Sequence, residues 1–62
     1  MRMLTAREVA ALLNLPVARV YELTRQKAIP VVRLGPRQLR YELDQLTAWA
    51  KRGGIVEQTE FK

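Results

Sequence analysis

Thr5-Ala6-Arg7-Glu8-Val9-Ala10-Ala11-Leu12-Leu13-Asn14-Leu15-Pro16-Val17-Ala18-Arg19-Val20-Tyr21-Glu22-Leu23-Thr24-Arg25 is the stretch that decides the fold, because it reads as two short helices with almost nothing between them. Thr5 and Glu8 fit the S/T-x-x-E capping box: the threonine side chain takes the Glu8 amide and the glutamate reaches back to the Thr5 amide. Leu4 stands before the cap as a hydrophobic staple, and Val9, Leu12 and Leu13 follow at helical spacing. Asn14 tolerates the left-handed conformation that ends a helix. The pattern predicts a helix over residues 6–13.

Pro16 then suits the start of a second helix, since its fixed φ is helical and it lacks an amide that would be unpaired there anyway. Val20, Leu23 and Thr24 form the expected buried stripe, while Arg19, Glu22, Arg25 and Gln26 face outward. Two short helices joined by so few residues make a helix-turn-helix, whose second helix is the reading element when the motif meets DNA.

Past this pair the period changes. Pro30 stops any helix, Val31-Val32-Arg33-Leu34 is apolar and β-branched, and Gly35-Pro36-Arg37 is a turn signal. Gln38-Leu39-Arg40-Tyr41 alternates like a half-buried strand, so the two runs predict a hairpin. A hairpin alone is marginal and has to pack on the helices. Alternation places Arg33 and Arg40 away from Leu34 and Leu39, hence exposed. Leu43, Leu46, Trp49 and Ala50 then recur at helical spacing as far as Arg52, stopped by Gly53-Gly54, with Glu42 as a weaker cap than Asp or Ser. Trp49 could stack on bases, but with Leu46 three residues before it the ring belongs to the face packed on helix 1. The fold class expected is α+β, mostly α: a winged helix-turn-helix with a two-stranded hairpin wing and a C-terminal helix. It forms one domain over residues 1–54, with a short C-terminal tail at 55–62.

Composition narrows the function classes. The 62 residues contain no cysteine and no histidine, which excludes a disulfide scaffold, a zinc finger and a Cys/His nucleophilic site. Asp44 is the only aspartate, the glutamates are scattered, and Glu42 beside Asp44 fits helix capping, so neither an enzyme nor a cofactor or metal is expected. No apolar run suits a signal peptide or a membrane span, and the chain is expected to be cytoplasmic with no membrane partner. The net charge is +5. Arg2, Arg7, Arg19, Arg25, Lys27, Arg33, Arg37 and Arg40 against Glu8 and Glu22 give residues 1–41 a net of +6; residues 42–62 net −1. Basic excess confined to one part of a chain suits a polyanionic partner.

Leu4-Thr5-x-x-Glu8-Val9-Ala10-x-Leu12-Leu13, then Val20-Tyr21-x-Leu23, then Ala28-Ile29-Pro30-x-x-Arg33-Leu34-Gly35-x-Arg37, then Arg40-Tyr41-x-x-x-x-Leu46-x-x-Trp49 resemble, in that order, the excisionase-type, MerR-like DNA-binding domains. The resemblance spans about residues 3–52. It implies that helix 2 enters the major groove and that the wing meets the adjacent minor groove or backbone. On helix 2 it points to Val17, Ala18, Arg19, Tyr21, Glu22 and Arg25; on the wing and its flanks, to Arg33, Gly35, Arg37, Arg40, Arg7 and Lys27. Arg19 is the candidate to grip a guanine, Arg25 a phosphate, and Glu22 is expected to pair within the helix. One position departs: the family usually caps helix 2 with Ser or Thr, and Pro16 offers no hydroxyl to a phosphate.

The function this resemblance implies is an excisionase, a recombination directionality factor. Such a factor binds and bends double-stranded attachment-site DNA, associates with itself on adjacent sites and directs an integrase from a phage or mobile element. The alternatives are a small MerR-like transcriptional regulator, the DNA-binding end of a phage DNA-packaging subunit, or a protein-interaction module whose bases only solubilise it. No small-molecule substrate is expected.

Overall fold

The computed structural model describes residues 1–54. The order is β1 (Met3–Leu4), α1 (Ala6–Leu13), α2 (Val17–Arg25), β2 (Val32–Gly35), β3 (Gln38–Glu42) and α3 (Leu43–Lys51). The helix-turn-helix, the hairpin wing and the closing helix stand as the sequence predicts. One element is new: β1 pairs antiparallel with β3, so the wing is part of a three-stranded sheet in the order β1-β3-β2. Two residues are too few to display a period of two, which is why Leu4 looks only like a staple in the sequence. The tail expected at 55–62 lies outside the described residues.

The local signals work through definite bonds. The Glu8 amide donates to Thr5 Oγ1 at 3.2 Å and the Thr5 amide to Glu8 Oε1 at 2.8 Å, completing the capping box. Asn14 sits at φ 58°, and the Leu15 amide reaches back to the Ala10 carbonyl at 2.9 Å. α2 ends the same way: Lys27 is at φ 57° and the Ala28 amide donates to the Leu23 carbonyl at 2.9 Å. α3 repeats the closure, with Gly53 at φ 78° and the Gly54 amide on the Trp49 carbonyl at 2.9 Å. Each is a Schellman ending, with the left-handed residue feeding the next amide to the last turn. At Lys27 that conformation falls on a residue with a Cβ, which disfavours it.

The capping strength of Glu42 exceeds what its residue type suggests. Its two carboxylate oxygens accept from the Asp44 amide at 2.9 Å and the Gln45 amide at 3.0 Å. These bonds, Asp44's first, hold the carboxyl below its ordinary value of 4.5.

The core consists of Leu4, Ala6, Val9, Ala10, Val20, Ile29, Tyr41, Leu46 and Trp49, with Thr24 as the buried polar residue. On α1 the buried face is centred on Ala6, Val9 and Ala10 with Leu13 beside them. Leu12, expected inside, is 58% exposed. At ~100° per residue it lies roughly 110° from the centre of that face, which the two small alanines shift away from it. On α3, Leu46 and Trp49 are buried, while Ala50 in the last turn is exposed. Trp49 is a core residue as expected, but α3 packs chiefly on β3. The indole Nε1 donates to the Ala28 carbonyl at 2.9 Å, so its polar anchor is the loop after α2 rather than α1.

A buried link joins α2 to the sheet. The Thr24 hydroxyl donates to the Val20 carbonyl at 2.8 Å, and the Tyr41 hydroxyl lies 2.7 Å from Thr24 Oγ1. Since Thr24 has one proton and spends it on Val20, Tyr41 is the donor in the second bond. Tyr41 is wholly buried, so this bond fixes the wing's central strand against α2.

Candidate nucleic-acid interface

α2 divides cleanly around its axis. Val17, Val20, Leu23 and Thr24 turn toward the core, Val20 and Thr24 fully so. Ala18, Tyr21, Glu22 and Arg25, three or four residues apart, share the opposite face. Ala18, Arg19, Tyr21 and Arg25 are exposed and Glu22 is half-buried. Arg19 and Tyr21 stand roughly 160° apart at ~100° per residue, so they flank this face from opposite sides.

Arg19 is already engaged: its Nη1 donates to Glu22 Oε1 at 2.7 Å, with both side chains about half exposed (47% and 46%). The intrahelical pairing expected of Glu22 is therefore present. An exposed pair of this kind adds little stability. It does aim the guanidinium along the outer face, and it sets an acid beside the cation that any phosphate would approach. The Arg19 fork retains further N–H groups for a second acceptor.

The wing presents its charge differently. Val32 stands opposite Arg40, Arg33 opposite Leu39 and Gly35 opposite Gln38, so Leu34 is an extra residue in a β-bulge. This corrects the simple alternation. Leu34 is 59% exposed instead of inward. Arg33, directly across from Leu39, shares the sheet face of Leu39 and Tyr41, the face that meets α2. Arg33 is exposed, as expected, but on the helix side of the wing. Arg40 is half-buried rather than exposed; its Nη1 donates to the Leu39 carbonyl at 2.8 Å. Arg37 is exposed at the tip, following Gly35 and Pro36.

Helix and wing meet around a cleft of about 300 Å³. Its walls come from three places: Thr5, Ala6 and Arg7 at the start of α1, Tyr21 from α2, and Arg37, Leu39 and Arg40 from the wing. Four of the expected site residues (Arg7, Tyr21, Arg37 and Arg40) thus line one concavity, and no carboxylate among the described residues lines it. Tyr21 is 44% exposed at this junction. Arg19, Arg25, Arg33 and Lys27 do not line it. Lys27 is exposed at the left-handed end of α2.

The helix-turn-helix domain family matches residues 3–54, most of the chain. The chain belongs to this excisionase-like family. No curated protein and no solved structure matches it. Membership of a helix-turn-helix family supports binding to double-stranded DNA, and the exposed cations of α2 and the wing supply a surface for it. Among the described residues no helix is long and apolar enough to cross a membrane.

Two parts of this site escape a reading of the family motif. One is the cleft, with Thr5, Ala6 and Leu39 in its wall. The capping box marks where α1 begins, yet nothing local says that the wing folds over that point. The other is the Thr24–Tyr41 bond, whose partners lie 17 residues apart.

Proposed function

We propose that this chain is a double-stranded DNA-binding architectural protein, an excisionase, that bends attachment-site DNA and directs an integrase toward excision. α2 lies in the major groove, where Arg19 grips a base edge and Ala18, Tyr21 and Glu22 shape the fit, while Val17, expected to share in it, packs toward the core instead. Arg25 and Lys27 hold backbone phosphates. Arg33, Arg37 and Arg40 follow the adjacent minor groove or backbone from the wing, with Gly35 at the turn, and Arg7 adds a phosphate contact from α1. The domain spans residues 1–54 and works in the cytoplasm, without catalysis of its own.

The observation that carries this reading is the separation of charge. Residues 1–41, which include the reading helix and nearly all of the wing, net +6 while residues 42–62 net −1. Arginines near a narrow minor groove respond to its width and potential more than to base identity. A surface rich in such contacts and poor in base readers fits a bending factor better than a stringent single-site repressor. One module of this size buries only ~600–1,000 Å² on DNA, which motivates self-association on adjacent sites.

The test is a gel-shift series on duplexes selected from a random pool, with one site and with tandem sites, followed by an integrase-dependent excision assay. Cooperative filling of tandem sites, a bend measured by circular permutation, and stimulated excision are expected. Equal affinity for single and tandem sites on unbent DNA would point instead to a MerR-like regulator.

A further inference from the structure

We infer that the cleft between the start of α1, Tyr21 and the wing is a seat for a single backbone phosphate, and that Tyr21 serves it as a phosphate ligand rather than as a reader of bases. This rests on the DNA-binding reading above and adds to it one defined anionic subsite. Three independent features converge on the cleft. Arg7, Arg37 and Arg40 line it from two different elements; no carboxylate among the described residues lines it, and the nearby Glu8 carboxylate is occupied by the Thr5 amide at 2.8 Å. Arg40 keeps donors beyond the Nη1 group spent on Leu39, since a guanidinium carries five N–H groups.

The second feature is the start of α1. The Thr5 side chain takes the Glu8 amide, but the amides of Ala6 and Arg7 come before any intrahelical acceptor. Ala6 and Arg7 both line the cleft, so the first turn of α1 forms part of its wall. Helix starts of this kind favour an anion through amide donors and dipole together. The third is Tyr21, partly exposed, in the same wall. A phenol hydroxyl donates well to a phosphate oxygen, and the ring's place at the junction puts it to one side of the outward face of α2.

The arrangement has a geometric consequence. The cleft is where reading helix and wing meet, so a phosphate seated there lies on the strand passing between the two grooves they occupy. It would fix the register of both elements on the duplex at once, as backbone contacts do.

The test pairs neutral methylphosphonates, placed one at a time along a duplex selected for binding, with the variants Arg7→Gln, Arg37→Gln and Tyr21→Phe, whose fold is checked by circular dichroism. One methylphosphonate position should weaken wild-type binding by about tenfold, the loss expected for a charge-assisted hydrogen-bond set. The same substitution should cost the three variants little further, and Tyr21→Phe should leave base preference unchanged. Multiplying penalties at every position, or a changed base preference in Tyr21→Phe, would overturn the assignment while leaving duplex binding intact. A second arm needs no duplex: titration with a thymidine dinucleotide followed by NMR. Movement of the Ala6 and Arg7 amides and the Tyr21 ring is expected. A silent cleft overturns the phosphate seat whether or not a duplex binds.

Discussion

α2 and the wing carry cations of two kinds. On α2, Arg19 is bonded to Glu22 at 2.7 Å, and Arg25 is left as the helix's other cation. On the wing, Arg33, Arg37 and Arg40 have no acidic neighbour on either strand before Glu42, which is occupied in capping α3. The helix therefore nets +1 and the wing loop and strands up to Tyr41 net +3. Charge bonded to an acid is aimed and partly neutralised; unopposed charge attracts phosphate wherever it is. Under the proposed function, affinity comes mainly from the wing and discrimination mainly from the helix, with the Thr24–Tyr41 bond holding one against the other.

The sharpest way to break this division is to neutralise the wing. Arg33→Gln, Arg37→Gln and Arg40→Gln together should weaken duplex binding by about a hundredfold at low salt, equally on preferred and scrambled sequences. A loss confined to preferred sequences in a gel-shift comparison would move base readout to the wing. Next in size is Thr24→Val, which strands the buried Tyr41 hydroxyl. It should cost about 1–3 kcal/mol, with Tm falling roughly 4–8 °C per kcal/mol in a thermal melt. Arg19→Ala should cost about 1–3 kcal/mol on the preferred sequence alone and almost nothing on scrambled DNA. Equal loss on both would make Arg19 one more phosphate contact.

Two smaller effects sharpen the picture. Glu22→Gln removes the acid beside Arg19 and should strengthen binding to any duplex by a few-fold, most visibly at low salt. Glu42 provides a pH signature away from the interface. Its folded pKa lies below 4.5, so the capping bonds stabilise the fold above that value and are lost as pH falls through the lowered one. Glu42→Gln should flatten the decline in stability below about pH 4.5 in acid titration, leaving neutral DNA binding unchanged.

Much of this was legible in the residues because the signals are local. Thr5 with Glu8, Asn14, Pro16 and Gly53 each act within a turn of the chain, and the bonds they make are those their types permit. What stayed hidden depends on neighbours distant in sequence. β1 is two residues long and exists only because β3 lies beside it. Leu12 looks like a core residue until Ala6 and Ala10 are known to be buried. The bulge at Leu34 reverses the side on which Arg33 stands, and a regular alternation cannot announce it. Lys27 takes a left-handed conformation that its side chain does not advertise. The individual arginines of the site were readable by type; the cleft was not, since its walls run from Thr5 to Arg40 and only the folded chain brings them together.

The most direct test of the division between helix and wing is the salt dependence of duplex binding for the wild type and the wing triple variant. If four to six phosphates are neutralised, the slope of log K against log salt should be about −4 to −5 for the wild type. Removing three wing contacts should make it shallower by about 2.7, at ~0.9 per phosphate. An unchanged slope in the triple variant would contradict the account, since the wing would then contribute no phosphate contacts.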